Sequence, residues 1–339
     1  MLPVSHFHSI IESIAAGYSL AQCGLALEFE STDLDRLRGS LPLELHEWCG
    51  DFDERQANEH AASILAVIAS PNGGLPGSVA RQAAGTFEAE ALGFAELIGC
   101  FVIEIGRAAA QRKLDQLVFF ARDAIPLYVV AKVFARRGLT LPPLRVLEFN
   151  RSMFPAFPHS LMRGDPQVER LLQHLEGLDR SPAGFVDTGA YGTLKGHLDD
   201  LGVFGRSEAL FFYSKNDRHY GFLNHFVREG AQPELCEAIC DTIETWPKPY
   251  SSSRLADDRD GIMATTKATG PFSSAASWAI YAALARWAEQ ADIFALQSDQ
   301  AFARLVARPT PLMLDQPLPQ WKHAAAWFAQ QEDLALSAD

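Results

Sequence analysis

A chain of 339 residues, 48% hydrophobic and 21% charged, can bury a sizeable core as one large domain or two smaller ones. Its formal net charge of −13 would repel nucleic acid and anionic membrane surfaces, which argues against both as partners and leaves small anions to local basic clusters. Five cysteines, Cys23, Cys49, Cys100, Cys236 and Cys240, form an odd set without CxxC spacing and read as reduced, buried thiols, not a disulfide framework or a zinc site.

The N-terminal stretch MLPVSHFHSIIESIAAG lacks the basic n-region of a signal peptide. No window reaches the roughly 18 uninterrupted apolar residues of a membrane span, so a cytoplasmic protein is expected. Apolar spacing in HFHSIIESIAAGYSLAQCGLAL and in ANEHAASILAVIA, followed by the breaker SPNGGLPGS, predicts a helical cap over residues 1–79. A long helix is predicted from Ser78 to Lys113, apolar enough in its second half to be buried on most sides.

Four apolar runs follow that do not alternate: 117–121, 144–149, 184–187 and 208–213. Such runs separated by helical patterns predict an α/β fold with a doubly wound, mainly parallel sheet over residues 80–270, covered on both faces. Polar residues stand after each run: Arg122 and Asp123, then Asn150, Arg151 and Ser152, then Asp187 to Thr193, then Ser214, Lys215, Asn216 and Asp217. Open parallel sheets bind ligands beyond the carboxyl ends of their strands, so these clusters should converge on one crevice. Beyond residue 235, AICDTIETWPKPYSSSR is expected to add a strand ending near Glu244, and DDRDGIMATTKATGPFSS reads as an irregular excursion or lid. Residues 271–339 read as a C-terminal helical segment, with SSAASWAIYAALARWAEQA carrying a strong 3.6-residue stripe.

The stretch GFVDTGAYGTLKGHL, 184–198, carries the sharpest site signal. It reads as strand, phosphate-sized turn and helix: Gly189 and Gly192 let the backbone turn, and the free N–H groups opening the helix face an anion. The substrate-binding set is Thr188, Gly189, Ala190, Tyr191, Gly192 and Thr193, with Arg122, Arg151 and Lys215 adding charge; Asp123 and Asp187 are the catalytic candidates. The alternative for Asp187 is a carboxylate satisfied by local turn amides, and for Arg122 and Asp123 a structural ion pair. Lys195 is equally consistent with a site charge and a solvated side chain, and His219 could reach the crevice. No GxSxG, HExxH or GxxxxGK[ST] occurs, so a serine hydrolase, zincin or P-loop nucleotidase is not expected.

The order FFARDAIPLYVVAKVF, VLEFNRSMF and FVDTGAYGTL resembles a domain of bacterial polysaccharide-biosynthesis proteins linked to haloacid-dehalogenase-like or glycosyltransferase units, whose landmarks are an Arg-Asp-Gly segment, an SRR-type arginine segment and VDxGWxGT. The matches are Ala121 to Ala124, Asn150 to Ser152 and Asp187 to Thr193, within residues 80–255. Ala124 departs from the glycine, Asn150 from the serine and Ala190-Tyr191 from the tryptophan, and no DxDxT motif is present. More distantly, the chain is similar to type I phosphoribosyltransferases, whose VDDxxxTGxT loop holds a ribose 5-phosphate; Thr188 stands where that loop has its second acid.

These readings make the expected function binding of, and transferase chemistry on, a phosphorylated sugar or nucleotide. Asp187 would orient sugar hydroxyls or a Mg²⁺ ion, the 188–193 amides would hold a phosphate, and Arg122 and Arg151 would stabilise further negative charge. The competing class is a non-catalytic scaffold that keeps a degenerate pocket and binds a protein partner through its helical ends.

Overall fold

The computed structural model describes residues 4–23, 25, 75–121, 123–149, 166–176, 181–190, 192–202, 206–216, 219–228, 233–244, 246, 248–258, 261–268 and 271–297. Five strands, β1 (Gln116–Phe120), β2 (Leu144–Leu147), β3 (Ala183–Ala190), β4 (Ser207–Ser214) and β5 (Tyr220–Gly221), form one parallel sheet in the order β2-β1-β3-β4-β5. In chain order the helices are α1 (Val4–Ala15), α2 (Leu75–Arg112), α3 (Ile125–Arg136), α4 (Pro166–Glu176), α5 (Thr193–Asp200), α6 (Leu223–Arg228), α7 (Pro233–Glu244), α8 (Pro271–Gln290) and α9 (Ile293–Leu296). A separate antiparallel hairpin, β6 (Tyr250–Asp258) with β7 (Gly261–Ala268), touches α1 and α4.

The winding explains the layers. From β1 the chain moves outward to β2, then returns past β1 to β3 and continues in the opposite direction. Right-handed crossovers that reverse direction must change faces. Accordingly α3 packs on one face with Leu117 and Phe119, while α4 and α5 pack on the other with Val118, Phe120 and Phe185. The first face is the thicker one. There the second half of α2 buries Ile98, Phe101, Val102 and Ile105 completely, against Phe212 and Phe222 and the apolar side of α8. Helix α1 buries Phe7, Ile11 and Ile14 in the same core, so the segments before and after the sheet share its hydrophobic interior.

Three local expectations change. Helix α2 begins at Leu75, ahead of the Ser78 start read from the pattern. The run AICDTIE is not a strand but the second half of α7, because Cys236, Ile239, Cys240 and Ile243 recur at helical spacing and all bury on one side. The polar excursion after it is the β6–β7 hairpin, paired from Tyr250 with Ala268 to Asp258 with Gly261. Cys23, Cys100, Cys236 and Cys240 are free thiols, and burial pushes Cys100 up to about 12 and Cys236 up to about 11, which suits packed rather than reactive cysteines. Among the described residues no helix is long and apolar enough to cross a membrane.

Candidate functional site

The strand order reverses between β1 and β3, the position at whose carboxyl ends open parallel sheets leave a ligand crevice. At the end of β1, Asp123 forms an ion pair with Lys248 at 3.2 Å. The next residue, Ala124, caps α3 at φ −89° and ψ −1°, a conformation open to any L-residue, so no glycine is needed there. Pro126 then falls in the first turn of α3, where its missing N–H is harmless.

At β3 the strand runs further than its apolar run suggests, pairing with β4 through Gly189 opposite Tyr213 and Ala190 opposite Ser214. Asp187 accepts a hydrogen bond from the Thr188 N–H at 2.9 Å. Thr188 itself is buried and faces α7: its hydroxyl donates to Glu244 at 3.0 Å, and its carbonyl accepts from the Cys240 thiol at 2.8 Å. Gly189 has φ +138°, and a Cβ there would lie 1.9 Å from the Tyr213 carbonyl oxygen. The glycine is therefore demanded by close packing of β3 on β4, a reason the sequence alone does not reveal.

Gly192 adopts the left-handed conformation, φ +69°, as the N-cap of α5, and a glycine has no side chain with which to cap the helix. The Thr193, Leu194 and Lys195 amides that open α5 thus have no intrahelical acceptor. His219 closes over this turn so tightly that a Cβ on Gly192 would meet its ring at 2.5 Å. Burial, reinforced by the positive charge of Lys195, holds the His219 imidazole below its ordinary value, and its buried Nδ1 has no hydrogen-bond partner among the described residues. Phe211 meets the ring edge-on at 5.3 Å. Lys195 is buried and paired with Asp199, and Lys215 at the end of β4 pairs with Glu237 of α7. Arg122, Arg151 and Tyr191 lie outside the described residues.

Beside this crevice, beyond β2, stands a second polar group that the sequence reading passed over. Glu148 is 3% exposed; its Oε1 accepts hydrogen bonds from the Tyr250 hydroxyl at 2.6 Å and from His8 Nε2 at 2.7 Å. Burial, together with the charge of Glu148 and the bond to it, pushes the Tyr250 phenol well above its ordinary value, so it remains a donor. The fully buried Tyr281 of α8 has no hydrogen-bond partner for its hydroxyl among the described residues, and burial, then Asp123, then Glu148 raise its phenol. The available signal was Glu148 itself, a carboxylate inside the apolar run LRVLEF.

Among the described residues, no group of three or more His, Cys, Asp and Glu side chains is gathered to hold a metal ion. No protein-family model matches the chain, and no curated protein matches it.

Proposed function

We propose that the chain binds a phosphorylated sugar or nucleotide at the carboxyl edge of its parallel sheet and acts on it as a transferase. The observation that carries this reading is the position of the Gly192 turn. The uncapped amides of α5 open beside β3, next to the reversal of strand order, with Asp187 on the same strand and Asp123 across the crevice. Amides at a helix N-terminus suit a phosphate, and a carboxylate on the neighbouring strand suits the hydroxyls of the attached sugar. In this reading Asp123 moves the proton, Arg122 and Arg151 offset charge on the transferring group, and Mg²⁺, where used, sits against Asp187. The resemblance to polysaccharide-biosynthesis domains points to the same ligand class.

A scaffold role is favoured by one feature: Asp123 and Thr188 already have protein partners in Lys248 and Glu244. Turnover of a panel of nucleotides and sugar phosphates separates the two readings. Asp187→Asn tests the first directly, because the amide oxygen can still accept from the Thr188 N–H while the charge is lost. Loss of a charge-assisted contact is worth about 1.5–3 kcal/mol, so binding of a phosphorylated ligand should weaken roughly tenfold or more with Tm little changed. A lower Tm with unchanged affinity, read by calorimetry, would reassign Asp187 to stability of the turn.

A further inference from the structure

Between Glu244 and Tyr250 the chain meets the carboxyl ends of three neighbouring strands in turn. Glu244, the last residue of α7, accepts the Thr188 hydroxyl of β3 at 3.0 Å. Lys248 pairs with Asp123, just past β1, at 3.2 Å. Tyr250, the first residue of β6, donates to Glu148, just past β2, at 2.6 Å. Across the sheet these strands stand in the order β3-β1-β2, so the segment runs over the carboxyl edge as a strap, with Lys248 meeting it at the switch point.

The strap is anchored without Lys248. Trp246, Pro249 and Tyr250 are buried, and so are Thr188 and Glu148, the strand-end partners on either side. The Lys248 pair differs, because its side chains keep 12% and 25% exposure for Lys248 and Asp123. The ammonium also donates to the Ile243 carbonyl at 3.3 Å, in the last turn of α7, where the helix dipole favours a cation. A lysine carried by a strap that other contacts fix is a preorganised charge.

A charge is needed there. Asp123 and Asp187 bring two carboxylates to the ends of β1 and β3, and their field opposes a phosphorylated ligand. Lys195 and Lys215, which follow β3 and β4 in sequence, pair instead with Asp199 and Glu237. We propose that Lys248 is a ligand-binding residue of the crevice: it compensates Asp123 in the free protein and takes an anionic oxygen of the ligand beyond the phosphate at the Gly192 turn. This role rests on the phosphate reading of that turn, and it places the charge partner on the strap instead of at a strand end. The competing role is a structural ion pair that ties the strap to β1 and is indifferent to ligands.

Calorimetry on the full chain tests it with inorganic phosphate and pyrophosphate, the latter a small probe that carries a second phosphoryl group. One charge-assisted contact should make wild type bind pyrophosphate about tenfold more tightly than phosphate. Lys248→Met should lose that gain while phosphate affinity changes little, and Lys248→Arg should keep most of it. Lys132→Met removes an equal charge from the Glu12 pair on α3 and should leave both affinities unchanged. If Lys248→Met leaves Asp123 stranded and unfolds, which circular dichroism reads, combining it with Asp123→Asn restores the charge balance of the crevice and should still lack the gain. Wild type that binds phosphate without favouring pyrophosphate, or a gain that survives in the folded Lys248 variants, would overturn the role of Lys248 and leave the reading of the turn intact. Binding of neither probe to wild type would overturn both.

Discussion

Gly189→Ala should destabilise the protein by about 3–5 kcal/mol, the sum of backbone strain and forced displacement of packed atoms. Two independent features produce this. The residue holds φ +138°, which a side chain resists, and the added Cβ would fall 1.9 Å from the Tyr213 carbonyl oxygen on β4. The clash is with backbone, so no rotamer change relieves it; β3 and β4 must separate where Gly189 pairs with Tyr213. Urea denaturation should show a much lower midpoint at similar slope. By comparison Gly196, whose Cβ would meet nothing within 4 Å, should accept alanine readily and gain helix propensity in α5. A Gly189→Ala protein as stable as the wild type would mean that the extension of β3 alongside β4 is not the conformation of the chain.

Glu148→Ala should cost about 3 kcal/mol or more, as expected when one partner of a buried charged network is removed. Its Oε1 accepts from both Tyr250 and His8, so the substitution strands the buried Tyr250 hydroxyl and releases the tie that joins α1 to the end of β2. Tyr250→Phe removes one donor and leaves His8 on the carboxylate, and it should cost only about 1.5–3 kcal/mol. Denaturation midpoints that rank the two variants in this order support the network. Near-neutral loss in Glu148→Ala would show that the carboxylate is not what holds α1 to the sheet.

Much of the sheet was legible because burial on both faces leaves a plain mark. The runs at 117–121, 144–149 and 208–213 are mostly apolar without strict alternation, and each matches a strand to within one or two residues. β3 was readable only in part, since Asp187, Thr188 and Gly189 look like a turn until the pairing with β4 is seen. The strand expected to end near Glu244 is instead helix: Cys236, Ile239, Cys240 and Ile243 recur at helical spacing, and their burial on one side of α7 prevailed. The β6–β7 hairpin gave no apolar run, because residues 250–258 are rich in serine and aspartate.

The candidate site was legible where its residues are neighbours in sequence. Asp123 stands just past β1, and Asp187, Gly189 and Gly192 lie within six positions, so spacing alone located them. The Glu148 network escaped because its members are long-range partners: His8 is 140 residues from Glu148, and Tyr250 is 102. Lys248 reaches Asp123, and Glu244 reaches Thr188, by the same kind of tertiary closure. Such partnerships are set by how α1 and α7 dock on the sheet, which no local pattern encodes.

The central claim is that the Gly192 turn receives a phosphoryl group at the switch point of the sheet. A crystal soaked in inorganic phosphate measures it most directly. The account predicts a bound phosphate within hydrogen-bond distance of the first α5 amides, beside His219 and facing Asp187. A turn left without an oxyanion at saturating phosphate, with the His219 ring still closed over Gly192, would contradict it.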